Sequence, residues 1–416
     1  MTDEHQWLQA RFADIRPRAL AALVRRFRDL ELAQDCFATA CVRALDKWPE
    51  EGLPNDPLAW LITVAGNAGI DTLRRQQRIA EKSMLLDQGS ELLDDGIEDQ
   101  LDNQVFRDDI LRLLFICCHP DLSPQDQSAL ALRVVAGLSV AEIASAFLVK
   151  RKTMEQRITR AKHTVAKADV AFAPPDLEQR HRRLNTVMLM LYLQFNEGWS
   201  ASGGNAVIKL PLCEEAIRLA RLLLELFPGI SELMGLLALF LLQHSRRKAR
   251  VCDGNLIPLA EQDRSQWDQM QISEASALLD KALRHRTPGT YQIQAAIAAV
   301  HSHAATDDAT DWEEIEKLYR ALYLLEPTPV VKLNHASAVA QVAGPQAALD
   351  MLAPLSESLD SYRWFHTAKA SFLMDLSQPA KAKSAYQQAL ELNPTPEERR
   401  FIDEKIRACE KSLNPL

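Results

Sequence analysis

The stretch Gly137–Val165, "GLSVAEIASAFLVKRKTMEQRITRAKHTV", places a dense positive cluster in a chain whose formal net charge is -8. From Phe147 to Lys167, seven bases (Lys150, Arg151, Lys152, Arg157, Arg160, Lys162 and Lys167) accompany one acid, Glu155. A local sign opposed to the global one points to a polyanionic partner. The stretch also carries its own start signal. Ser139, followed three residues later by Glu142, is a capping box in which hydroxyl and carboxylate each satisfy a backbone N–H, so a short helix begins at Val140. Ile143 and Phe147 lie one turn apart, and a tight break spans Leu148 to Lys152. A second helix then starts at Thr153 with Met154, Ile158, Ala161 and Val165 turned inward. This is a helix-turn-helix pattern. With those four inside, Glu155, Gln156, Thr159, Arg160 and His163 fall on the outer face, the position from which side chains reach base edges in a major groove. A solvated amphipathic helix carries the same pattern, so this stretch alone leaves both readings open.

The rest of the composition narrows the class. A chain of 416 residues with 47% hydrophobic and 25% charged residues has material for two or three domains with real cores, and its modest glycine and proline content favours helices. The apolar run "TVMLMLYLQF" is too short to span a bilayer, and "MTDEHQWLQARF" has no apolar signal core, so a cytoplasmic protein with no membrane association is expected. Seven scattered cysteines make no secreted disulfide framework. Cys117 and Cys118 beside His119 lack a second pair at ligand spacing and read as buried packing rather than a zinc site. No phosphate loop, zinc motif or nucleophile elbow occurs, so neither an enzyme nor a cofactor or metal is expected.

Upstream, Ala33, Phe37, Cys41, Ala44 and Trp48 make an apolar stripe at helical spacing that "PEEGLPNDP" (Pro49 to Pro57) terminates. A further helix starts near Leu58. On it Asn67, Asp71, Arg74 and Arg78 form one polar, largely basic stripe. Residues 1–80 thus read as one helical domain. Residues 81–109 hold ten acids and two bases, together with Gly89 and Gly96, and read as an acidic linker. In "HPDLSPQDQSALALRVV", Ser123 is an N-cap with Pro124 in the first turn, and residues 110–172 make a second helical domain ending in the helix-turn-helix.

After "FAPPD" the chain reads as helical to its end. "EEAIRLARLLLELFP", "EEIEKLYRALYLLEP" and "AKAKSAYQQALELNP" resemble one another and close on Pro228, Pro327 and Pro394. The separations, 327 − 228 = 99 and 394 − 327 = 67, are close to three and two tetratricopeptide periods of about 34 residues. Residues 176–416 therefore read as a tetratricopeptide-like helical extension, with a plain helical bundle as the alternative. Gly203 and Gly204 read as a turn. The fold class is all-α.

Two helical modules, an acidic linker and a repeat extension together resemble the extracytoplasmic-function (ECF) sigma factors of bacterial RNA polymerase, in the group with a long tetratricopeptide-like C-terminal extension. "ELAQDCFATACVRALDKWP" and "NDPLAWLITVAGNAGIDTLRR" are similar to the sigma-2 domain, and the opening stretch to sigma-4. "YLQFNEGWSAS", "EAIRLARLL", "LAEQDRSQWD" and "YQIQAAIAAVHS" are similar to the extension of that group. The resemblance implies core RNA polymerase and promoter DNA as partners. It places Glu31 and Asp35 at the polymerase, and the Pro49 to Pro57 loop with Asn55, Trp60 and Asn67 at the unpaired minus-ten strand. Arg74, Arg75 and Arg78 would track that strand's backbone. Lys150, Arg151, Lys152, Glu155, Gln156, Arg157, Thr159 and Arg160 fall at the minus-thirty-five duplex. The sequence departs from the family at Gln34, Ala38 and Thr39 on the polymerase face, at Gly66, at Glu155 and at the "KRK" turn.

The main rival is a helix-turn-helix regulator with a repeat sensor domain that works without polymerase. A repeat scaffold is the third reading. A regulatory protein or ligand on the extension fits either of the first two. The resemblance favours an extension that supports transcription over one that acts as a detachable lid on the basic helix.

Overall fold

The computed structural model describes residues 2–83, 109–110, 113–114, 116–147, 149–167, 177–200, 208–252 and 255–413. The expected linker between residues 84 and 108, the "FAPPD" boundary and the Gly203–Gly204 turn lie outside them. The chain divides into two compact units, Met1–Gln194 and Phe195–Leu416. Its described residues are all-α except for a minimal hairpin in which Val251 pairs with Leu256 and Cys252 with Asn255.

In the first unit, helices α1 (Thr2–Phe27), α2 (Leu30–Glu51) and α3 (Pro57–Ser83) pack in all three pairings. Asp29 starts α2 by accepting from the backbone N–H groups of Glu31 and Leu32 at 2.8 and 3.0 Å. The buried stripe of α2 is Ala33, Cys36, Phe37, Ala40, Ala44 and Trp48, whereas Cys41, expected inside, is only partly covered. The proline cluster does not stop this helix at Pro49. Pro49 sits in the last turn, where its missing N–H forfeits a single helical bond, and the helix ends instead at Gly52 with φ of 85°. Helix α3 begins at Pro57, one residue before the expected start, and continues to Ser83, so the first residues assigned to the linker are helical. At the other end of that linker Asp109 is also not tether: it is 3% exposed and ion-paired with Arg25 at 3.0 Å.

The same unit also contains helices α4 (Pro124–Val134), α5 (Val140–Ala146) and α6 (Arg151–Lys167). Ser123 caps α4 through Asp126 N–H at 3.2 Å. Buried Gln127 donates to the carbonyls of His119 and Leu122, fixing the turn that enters α4. Gly137 turns the chain between α4 and α5 with φ of 71°, a conformation that disfavours any side chain. The division between units falls within helix α7 (Leu177–Trp199).

The second unit holds α8 (Leu210–Leu226), α9 (Ser231–Ser245), α10 (Gln269–Leu283), α11 (Thr290–His303), α12 (Trp312–Leu325), α13 (Pro329–Ala343), α14 (Pro345–Leu352), α15 (Arg363–Asp375), α16 (Pro379–Glu391) and α17 (Pro396–Leu413). Helix α9, "SELMGLLALFLLQHS", is apolar on all faces and accordingly central, packed against α8, α10 and α11. Its Glu232 reaches across to α11 and accepts from the N–H groups of Tyr291 and Gln292 at 3.0 and 3.2 Å, supplying the cap that Gly289 has no side chain to make. Later helices pack as successive neighbours. Ile293, Ile297, Ile315, Leu322, Val331 and Ala338 make one apolar cluster, and Leu333, Ala348, Leu352 and Phe365 belong to the next. The three mutually similar segments are α8, α12 and α16, each closed by its proline.

Candidate nucleic-acid interface

The helix-turn-helix forms by the chemistry its residues carry. Ser139 Oγ accepts from Glu142 N–H at 3.2 Å while Glu142 Oε2 accepts from Ser139 N–H at 2.6 Å, completing the capping box. Helix α6 starts at Arg151 rather than Thr153, because the Lys150 carbonyl already accepts from Thr153 and Met154 N–H. Met154, Ile158, Ala161 and Val165 are all buried, Met154 completely. Burying a side chain of this size contributes roughly 1.5–3 kcal/mol, enough to fix the rotation of the helix.

That rotation exposes Lys150, Arg151, Lys152, Glu155, Gln156, Thr159, Arg160 and His163. Glu155, Gln156, Thr159 and Arg160 line one open depression of about 470 Å³. Arg157, assigned to the same face, is half-buried: it lies three residues from Met154 and four from Ala161, at the edge of the seam. The Thr159 hydroxyl donates to the Glu155 carbonyl at 2.9 Å, which leaves its oxygen as an acceptor.

On α3, Asn67, Asp71, Arg74, Arg75 and Arg78 are all exposed, and Asn55 is exposed in the loop ahead of it. Trp60 is different. It is half-buried with its ring 5.4 Å from that of Trp48, edge to face, so part of its surface belongs to the core. Gly66 is buried, and a Cβ there would lie 2.6 Å from Arg26 Nη1, so a basic group from α1 occupies the space that a larger residue at this position would need.

Glu31 and Asp35 are exposed on α2, and Gln34, next to Asp35, makes a contact that sequence reading missed. Lys162 Nζ of α6 donates to Gln34 Oε1 at 2.7 Å. Burial, followed by repulsion from Arg133, lowers the Lys162 pKa, while Glu31 and Asp35 act to raise it. Arg16 lies at the same seam with its guanidinium 5.7 Å from the Phe37 ring, its pKa lowered by burial and then by Arg133. The available sequence signal was Lys162's place directly after buried Ala161, on the seam's edge. Cys117 and Cys118 are fully buried, and burial raises both thiols, Cys118 to about 12, which disfavours the thiolate a metal needs. Among the described residues no group of three His, Cys, Asp or Glu is placed to hold a metal ion, and no helix is long and apolar enough to cross a membrane.

Residues 12–79 match the family model for sigma-70 region 2, and residues 112–164 that for sigma-70 region 4. The chain belongs to the sigma-70 family of RNA polymerase sigma factors. The sigma factor's α1–α3 bundle is therefore region 2, and its helix-turn-helix lies in region 4; sigma factors with these regions bind RNA polymerase and promoter DNA. Residues 183–283 match a family of unknown function, DUF6596. The sigma factor is 50% identical over 409 residues to an uncharacterized protein of Rhizobium meliloti (strain 1021), covering 97% of this chain and 95% of that relative, and belongs to the same family. No solved structure matches.

Proposed function

We propose that this sigma factor belongs to the extracytoplasmic-function group with a tetratricopeptide-like extension, and that each exposed face has a separate task. Helix α6 reads the minus-thirty-five duplex through Gln156, Thr159 and Arg160, with Lys150, Arg151 and Lys152 on phosphates. Helix α3 and the loop before it hold the unpaired minus-ten strand through Asn55 and Asn67, with Arg74, Arg75 and Arg78 along its backbone. Glu31 and Asp35 meet the polymerase. Domain limits at residues 1–80, 110–172 and 176–416, with an acidic linker over 81–109, belong to the same reading. The carrying observation is that four residues assigned to base reading line one open depression on the outer face of a helix whose opposite seam is buried.

The extension supports the active arrangement and takes no catalytic part; a regulatory protein or ligand acts through it. Transcription in vitro tests the whole reading. The full chain should direct core polymerase to a cognate promoter, and a chain ending near Pro175 should lose that activity. Binding of the full chain to promoter duplex with no affinity for core polymerase would favour the repressor-like regulator instead.

A further inference from the structure

The second unit contains a cationic cluster that neither sigma-70 region uses. The Arg246 guanidinium carbon lies 5.8 Å from the ring centroids of both Trp199 and Trp267. That of Arg250 lies 4.6 Å from Trp199, and that of Arg264 5.1 Å from Trp267. Each cation gains from an indole face, but three guanidinium groups sharing two rings repel one another.

Arg264 is fully employed. It donates to the carbonyls of His301 and Ala304 at 2.7 Å, and to Asp307 and Thr310 at 3.2 and 3.3 Å. Arg246 instead donates to the neutral Gln243 side chain, and the Arg250 guanidinium makes no hydrogen bond among the described residues, with Nε buried. Glu398 acts on Arg250 electrostatically, yet it is 1% exposed and already accepts from Arg363 and from Thr395 N–H, each at 2.8 Å. Among the described residues the indole N–H of Trp267, a residue 3% exposed, also has no acceptor. The electrostatic cost falls on Arg246, Arg250 and the neighbouring His301. Burial, then Arg250 and Arg264, lower Arg246 to about 9, and burial lowers Arg250 to about 10. Burial, then Arg246 and Arg264, push His301 down to about 4. Buried cations with little counter-charge among the described residues are unfavourable, and an anion placed among them would act to raise each of these lowered pKa values.

We propose that Arg246 and Arg250, on the face of Trp199, form a receptor for the oxyanion group of a small ligand, a carboxylate or a phosphate, with the Trp267 N–H as a further donor. The guanidinium fork matches either group with paired hydrogen bonds, and both residues retain some exposed surface although the Arg250 Nε is buried.

Isothermal titration of the full chain with inorganic phosphate, and separately with citrate, in chloride buffer of matched ionic strength tests this. Saturable one-to-one binding of at least one anion is expected, and which of them binds separates phosphate from carboxylate. Arg250→Gln should raise the Kd at least tenfold, whereas Arg221→Gln, removing an exposed arginine paired with Glu274 at 2.7 Å, should leave it unchanged. If Arg250→Gln does not fold, Arg246→Lys, which keeps the charge and loses the fork, should weaken binding tenfold. Absence of saturable binding by both anions, or unchanged affinity in the folded arginine variant, overturns the proposal.

Discussion

Lys162 Nζ sits 2.7 Å from Gln34 Oε1, so the helix that carries the outward basic face also holds, on its flank, the α2 surface between Glu31 and Asp35. Region 4 in this arrangement covers part of the face assigned to polymerase. Lys162→Ala removes a half-buried hydrogen bond worth about 1 kcal/mol, which corresponds to roughly fivefold in an equilibrium. Distances between spin labels on α2 and α6 should broaden toward longer values, and the affinity for core polymerase should rise by about that factor. Unchanged distances together with unchanged affinity would remove the contact from any account of polymerase binding.

Arg160→Ala should weaken promoter binding by about 1–3 kcal/mol if its fork pairs with a guanine edge. The loss should be largest on the cognate minus-thirty-five sequence. Gel-shift titration of the holoenzyme on matched and mutated duplexes reads it directly, and an equal loss on both would reassign Arg160 to the phosphate backbone.

Asn67→Ala leaves the exposed stripe of α3 without its amide while disturbing no buried contact. Closed-promoter binding should persist while strand opening falls. Permanganate reactivity of thymines in the minus-ten region is the measurement, and wild-type reactivity would contradict the assignment.

Acid should destabilise the second unit through His301. Its folded pKa, about 4, lies below the ordinary 6.5, so the unfolded chain binds the proton more readily. The stability is fully present above pH 6.5 and is lost as pH falls toward 4, by an amount on the order of 3 kcal/mol. Chemical denaturation across that window should show the decline, and His301→Gln should flatten it. A slope identical in the variant would place the acid sensitivity elsewhere.

Sequence periodicity revealed whatever was written in local spacing. The Ser139–Glu142 box, the Met154 to Val165 seam and the Asn67 to Arg78 stripe each depend on residues within one helix, and all three lie as read. Misreadings arose where a local sign was outweighed by distant partners. Asp109 looked like linker because it ends an acidic run, but Arg25 draws it into the core. Pro49 looked like a stop, but packing of Trp48 against Phe12 and Trp60 carries α2 through it. The Lys162 contact and the tryptophan–arginine cluster join residues far apart in the chain, and no spacing rule encodes them.

The carboxylate of Glu232 has a bearing on how the chain is made. A ribosome releases Glu232 well before the amide of Tyr291, which lies 59 residues later and receives its hydrogen bond. Helix α11 therefore emerges with its missing cap already waiting on α9, while α9, apolar on every side, waits for α11 to cover it. Between those two moments α9 has α8 and then α10 against it but not α11, so the nascent chain exposes one apolar face that a chaperone would shield.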